Sequence, residues 1–180
     1  FVVRRMQQIL ELYCNTFAAH LPPGGKEMLE AFVGNYVAIN KTLANRSPWT
    51  LVHQDFRVEN MLFDKDRVIV LDWQGIGRGP GSYDLAYFLG GSMDIDLRRA
   101  HEQEIVAHYY DKLMDQGIKG YSAEQLWSAY QLGHLQGGLA TSVVTGGSLD
   151  LSNKRGYELI ATMANRHVTA ALDHNGRTIL

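Results

Sequence analysis

The chain has 180 residues, 46% of them hydrophobic and 20% charged, which is enough for a single domain (residues 1–180) with a sizeable core. With 17 basic and 19 acidic residues the net charge is -2, so no basic excess points to nucleic acid or to an anionic membrane as partner. The single cysteine, Cys14, excludes an intramolecular disulfide and a cysteine metal cluster, no apolar run approaches membrane-spanning length, and the expected location is cytoplasmic.

A chain opening FVVRRM, with neither an initiator methionine nor a signal-peptide pattern, reads as part of something longer. Residues 2–19 carry Met6, Leu10, Tyr13 and Phe17 at spacings of three and four, one helical face, with Cys14 as a small buried residue on it. Leu21-Pro22-Pro23-Gly24-Gly25 stops that helix. A second helix runs from about Lys26 to Ala44, with Met28, Phe32, Tyr36 and Leu43 on its apolar side, and Asn45-Arg46-Ser47-Pro48 ends it. Both helices read as packing that supports the segment after Pro48.

Residues 50–73 turn to short strands. Thr50-Leu51-Val52 leads into His53, Asn60 to Phe63 is a strand, Asp64-Lys65-Asp66 a turn, and Arg67 to Leu71 the returning strand. Such a hairpin brings Asn60 and Asp72 to the same end. Gln74 to Gly81, with four glycines and a proline, reads as a mobile or tightly turned loop. Ser82 caps a helix with Asp84 in its first turn, buried through Ala86, Phe88 and Leu89. Asp94 caps the next, running to about Asp115 and ended by Gly117 and Gly120. Its Asp94, Asp96, Glu102 and Glu104, with Arg98 and Arg99 nearby, read as a solvated face. Ser122 to Gln125 has the capping-box pattern and opens a long apolar helix through Leu126, Tyr130, Gly133 and Gly137, broken at Gly146-Gly147. The two mid-helix glycines imply close approach of another helix, because each costs about 1 kcal/mol against alanine. A last helix spans about Ser152 to Asp173. His101, His108, His134 and His167 are dispersed and carry no reading of their own. The expected fold class is α+β, mainly α, with a small β hairpin group.

The chemistry concentrates in LVHQDFRVENMLFDKDRVIVLDW, residues 51–73. Asp55, Asn60 and Asp72 make little sense as packing. Two carboxylates and an amide converging on one edge can divide a metal-assisted transfer: one carboxylate, Asp55, orients a hydroxyl and takes its proton, while Asn60 and Asp72 offer oxygen ligands to Mg²⁺. Arg57, inside the same loop, is a candidate contact for a phosphate or anionic substrate. Trp73 and Tyr83 read as core packing or as lining of the acceptor side.

His53-Gln54-Asp55, Asn60 and Leu71-Asp72-Trp73 resemble the catalytic and metal loops of the aminoglycoside phosphotransferase and choline kinase group, a branch of the protein-kinase-like fold. GPGSYDLAYFLGG resembles that group's Asp-Leu-Ala element, and the specific motifs lie in residues 50–91. The resemblance implies ATP and Mg²⁺ as cofactors, Leu62 as the apolar floor under the adenine, His53 as structural support, and Asp84 as a brace for the catalytic loop. Gln54 stands where the group has glycine. Nothing before His53 reads as a glycine-rich phosphate loop or a strand lysine, so the chain resembles the C-terminal lobe alone, its N-terminal partner lobe missing. The implied reaction is transfer of the γ-phosphoryl group to a hydroxyl of a small molecule. Two rivals remain open: a non-catalytic kinase-like scaffold, and an Fe(II) oxygenase built from His53, Asp55 and a distant histidine such as His134.

Overall fold

The computed structural model describes residues 2–45, 48–150, 152–174 and 176; Arg46 and Ser47, within the expected stop signal, lie outside them. The described chain is α+β, mainly α, with seven helices and two small antiparallel sheets. Helix α1 (Val2–Thr16) ends earlier than the periodicity predicts, because the His20 and Leu21 N–H groups both turn back onto the Phe17 carbonyl ahead of the prolines. Helix α2 (Gly25–Ala44) runs as expected. Strands β1 (Thr50–Val52), β2 (Met61–Asp64), β3 (Arg67–Val70) and β4 (Gly77–Gly79) come after it, then α3 (Ser82–Ser92) and α4 (Ile95–Asp115). Helices α5 (Ala123–Gly133), α6 (Gly137–Gly146) and α7 (Lys154–Asp173) complete the order.

Two apolar clusters hold these helices. One joins α1, α2, α6 and α7 through Met6, Tyr13, Phe17, Phe32, Val143 and Val168. Cys14 belongs to it, and burial pushes its thiol up to about 11, so it packs and does not react. The other joins α3, α4 and α5 through Ala86, Leu89, Val106, Leu126 and Tyr130. The glycine argument holds at Gly133: an added Cβ would stand 2.7 Å from Ala86 Cβ and 3.1 Å from the Ser82 carbonyl oxygen, so α3 crosses α5 at backbone range there.

Three expectations need correction. The long apolar helix is two helices, since Gln136 leaves the helical region (φ -127°, ψ -131°) and α6 restarts from it at the Gly137-Gly138 pair. Gln74 to Gly81 is not a free loop. After a 3-10 turn (Trp73–Gly75) it forms β4, which pairs antiparallel with β1, Thr50 opposite Gly79. The acidic and basic residues of α4 are not one solvated face either. Arg98 is 1% exposed and Glu102 8%, turned inward beneath α5 and α7. The capping box at Ser122 and Gln125 forms as the pattern predicts.

Candidate active site

The hairpin β2–β3 pairs Met61 with Val70 and closes with Asp64 opposite Arg67. Asn60 is not in the strand but ends a 3-10 turn (Val58–Asn60) just before it. The Leu71 N–H donates to the Asn60 carbonyl oxygen at 2.8 Å, extending the ladder by one step. That bond sets Asn60 beside the residue preceding Asp72, so the expected common end is formed.

The loop from His53 to Asn60 is organised by hydrogen bonds. His53 is 1% exposed. Its Nε2 lies 2.7 Å from the Leu71 carbonyl oxygen, and the Asp55 N–H donates to its Nδ1 at 3.3 Å. Those two partners correspond to a neutral ring protonated at Nε2 that pins the loop to the end of β3. Trp73 packs against it, ring centroids 4.8 Å apart and planes tilted by 58°, and donates Nε1 to the Val70 carbonyl oxygen. At 47% exposed, Trp73 is a rim residue and not core packing. Asp84, one turn into α3, accepts the His53 N–H at 2.7 Å and the Gln54 N–H at 3.0 Å, one on each carboxylate oxygen. Burial raises the Asp84 carboxyl above its ordinary value, and the two N–H donors only partly oppose that.

Asp55 is held on all sides. The Asn60 amide nitrogen donates to its Oδ2 at 3.0 Å and to its backbone oxygen at 2.9 Å. The Tyr87 hydroxyl donates to Oδ1 at 2.8 Å. Arg57 Nε sits 3.1 Å from Oδ1 and 3.3 Å from Oδ2. Arg57 is therefore a partner of Asp55, not a free basic group. Asn60 makes both bonds with its nitrogen, and no described residue donates to its Oδ1. Asp72 is exposed, and its carboxylate takes no capping bond in the turn it begins. Two uncommitted side-chain oxygens, one amide and one carboxylate, are the donor chemistry a hard divalent cation takes.

The backbone here is unusual. Of the three non-glycine residues at positive φ among the described residues, two are Gln54 (φ 70°) and Asp72 (φ 63°). Each such conformation costs about 1 kcal/mol or more and persists only where the surroundings impose it. Gln54 thus keeps a glycine-like backbone, and its side-chain amide occupies the space that a Cβ on Gly77 would need.

Leu62 is 53% exposed on the hairpin, in company with Phe63, Val68, Ile69 and Leu71, all exposed. His134 is not brought to His53 and Asp55. Among the described residues, the one group of three His, Cys, Asp or Glu side chains near enough to share a metal is Glu102, His134 and His174, inside the helical body. Sequence reasoning missed three residues of this loop's support. Tyr87 lies one helical turn after Asp84 on α3, a spacing that signals a shared face. Ser92 Oγ accepts the Val58 N–H at 3.0 Å, and Arg166 Nη1 holds the Gly91 and Ser92 carbonyls at 3.3 and 3.1 Å from α7.

The model of the ecdysteroid kinase-like family matches residues 2–119, more than half of the chain. This chain belongs to the ecdysteroid kinase-like family. The family is protein-kinase-like and related to choline kinases and aminoglycoside phosphotransferases. Its members are kinase-like enzymes. The matched span of this ecdysteroid kinase-like chain takes in α1 to α4 and the site from His53 to Ser92, while Arg166 lies beyond it. No curated protein matches the chain. No described helix is long and apolar enough to cross a membrane.

Proposed function

We propose that this chain is the C-terminal lobe of a small-molecule kinase that moves the γ-phosphoryl group of ATP to an acceptor hydroxyl. One observation carries the reading. The Asn60 amide donates to the Asp55 carboxylate with its nitrogen and keeps its oxygen, at the hairpin end where Asp72 follows Leu71 with its carboxylate making no capping bond. That divides the work as phosphoryl transfer requires: Asp55 receives the hydroxyl proton, Asn60 and Asp72 face the cation.

In the proposed reaction the acceptor oxygen bonds to the γ-phosphorus, the bond to the β–γ bridging oxygen breaks, ADP leaves, and the acceptor proton passes to Asp55. Asn60 and Asp72 would hold Mg²⁺, which when bound neutralises charge on the phosphate oxygens. Leu62, exposed on the hairpin, offers an apolar surface to the adenine. Arg57 bonds Asp55 through Nε, leaving its outer nitrogens for a phosphate. His53 and Asp84 support the loop without meeting substrate. The partner nucleotide-binding lobe, with its phosphate loop and lysine, lies outside these 180 residues, and this lobe alone turns over little. The family's description points to a steroid alcohol as the first acceptor to screen. A cytoplasmic location fits a chain whose one cysteine is unpaired.

The deciding experiment is Mg·ATP binding by calorimetry, for this chain and for a longer one adding upstream residues, each beside its Asp72→Ala variant. Mg²⁺-dependent binding that Asp72→Ala removes is expected, with turnover in the longer chain that falls about 10²–10⁴-fold in Asp55→Ala. Nucleotide binding indifferent to Mg²⁺ and to Asp72 in both chains refutes the reading and leaves the scaffold.

A further inference from the structure

Asp55 is fixed by three side chains, Asn60, Arg57 and Tyr87, and only Tyr87 comes from outside its own loop. Asn60 reaches Oδ2 from five residues downstream. The Tyr87 hydroxyl reaches Oδ1 at 2.8 Å from α3, and Tyr87 is 2% exposed. Burial, and then the Asp55 charge, raise the Tyr87 phenol above its ordinary value, so it remains a donor. Its ring in turn is seated against the edge of His167 on α7, centroids 5.4 Å apart at 79°. His167 is itself 2% exposed and lies close against the Gly91 and Gly138 backbones, where an added Cβ would clash with it. The phenol therefore has no room to swing away. Arg57 Nε sits astride the carboxylate, 3.1 Å from Oδ1 and 3.3 Å from Oδ2, on a partly exposed side chain from the same loop, so the Tyr87 hydroxyl is the buried contact that fixes Oδ1 from the helical body.

We infer that Tyr87 is a positioning residue: its hydroxyl, braced from behind by His167, locks the Asp55 carboxylate in the one orientation in which it can meet an acceptor hydroxyl. The inference rests on the phosphotransferase reading for its consequence, though the bond itself does not. A charge-assisted hydrogen bond of this kind contributes on the order of a tenfold effect or more when removed.

Two measurements test it. In the full-length protein, with Mg·ATP hydrolysis as readout, Tyr87→Phe is expected to lower kcat about tenfold while KM for Mg·ATP stays within about twofold. Tyr13→Phe removes another buried hydroxyl, bonded to Ser142 at 2.5 Å in the other cluster, and is expected to leave kcat unchanged. The second measurement needs no turnover. The Tyr87 hydroxyl proton should give a resolved downfield proton signal in this chain, absent from Tyr87→Phe and lost or shifted in Asp55→Ala. A hydroxyl signal unmoved by Asp55→Ala overturns the inference, as does a Tyr87→Phe enzyme with wild-type kcat. Absence of hydrolysis in the wild-type protein refutes the phosphotransferase reading and the positioning role with it, even where the hydroxyl signal shows the bond.

Discussion

Two carboxylates in this protein are each bonded by several donors, and their acidities shift in opposite directions. Asp84 beneath the loop takes two backbone N–H groups, which are neutral, and its burial prevails, so its carboxyl is raised. Glu102 in the helical body is also pushed up by burial, but its Oε2 accepts from Arg98 Nη1 at 2.7 Å, the Tyr130 hydroxyl at 2.9 Å and His174 Nε2 at 3.1 Å. The bonds from His174 and Arg98 outweigh the burial, and Glu102 is lowered. Arg98 and Arg99 also grip Asp173 at the end of α7. The contrast shows that side-chain donors, the Arg98 guanidinium among them, oppose the burial of a carboxylate more strongly than two backbone N–H groups do. It also separates roles. The interior cluster ties α4, α5 and α7 together and is saturated at Glu102 Oε2. The edge around Asp55 keeps oxygens uncommitted.

The same cluster explains why Glu102, His134 and His174 are a poor cation cage despite their proximity. The oxygen that would ligate already accepts a guanidinium, and the two imidazoles lie parallel, 3° apart, so their in-plane lone pairs do not meet at a point.

Breaking the interior cluster should have the largest effect. Arg98→Met leaves Glu102 and Asp173 without their buried cation and should cost about 3–5 kcal/mol in urea unfolding. Arg98→Met combined with Glu102→Leu should recover part of that loss, because the orphaned charge is gone.

Acid comes next. Burial lowers His134 well below 6.5 and His167 to about 4. Between those values and 6.5 the unfolded chain binds protons that the folded chain refuses, so stability is full above pH 6.5 and falls as pH drops. The expected slope is about 1.4 kcal/mol per pH unit for each histidine, and His167→Leu should remove one histidine's share in unfolding measured from pH 7 to pH 4. Glu102 adds to the trend below 4.5, its contribution being lost as pH falls through its lowered folded value.

The smallest effect on stability should come from the edge. Asp84→Ala removes the acceptor of two backbone N–H groups and should cost about 2–3 kcal/mol. It should also speed hydrogen exchange at His53 and Gln54 far more than at Leu139 or Val143, in the core between α6 and its neighbours. Equal acceleration everywhere would mean that Asp84 braces the whole fold and not this loop.

The edge was legible because its pieces lie close in sequence. Asp55, Asn60 and Asp72 fall within 18 residues joined by one hairpin, and a hairpin's register is set by its turn. Helix periods and the capping box are likewise local, which is why their limits come within a few residues of expectation; Ser82, expected to cap α3, is instead its first residue behind Gly81 and makes no capping bond. Arg98 and Glu102 defeated the same reasoning. An i,i+4 pair of opposite charge has the same pattern on a solvated face as on a buried one, and Asp173 that completes the cluster stands 75 residues from Arg98. Tyr87 draws no reading from the sequence, because a tyrosine's hydroxyl partner is invisible until another element is placed against it.

By itself, then, the sequence determined most of the helices, the hairpin that aligns Asn60 with Asp72, and the oxygen-rich chemistry of residues 53–72, because each depends on neighbours within a few turns. Tertiary structure alone decided that β1 pairs with β4 across the whole of residues 53–76, that Gln136 breaks a helix in two, that Arg98 is buried, and that Tyr87 and His167 stand behind Asp55. Those outcomes depend on which helix faces fill the space between others, and that competition for burial is settled by the whole chain at once.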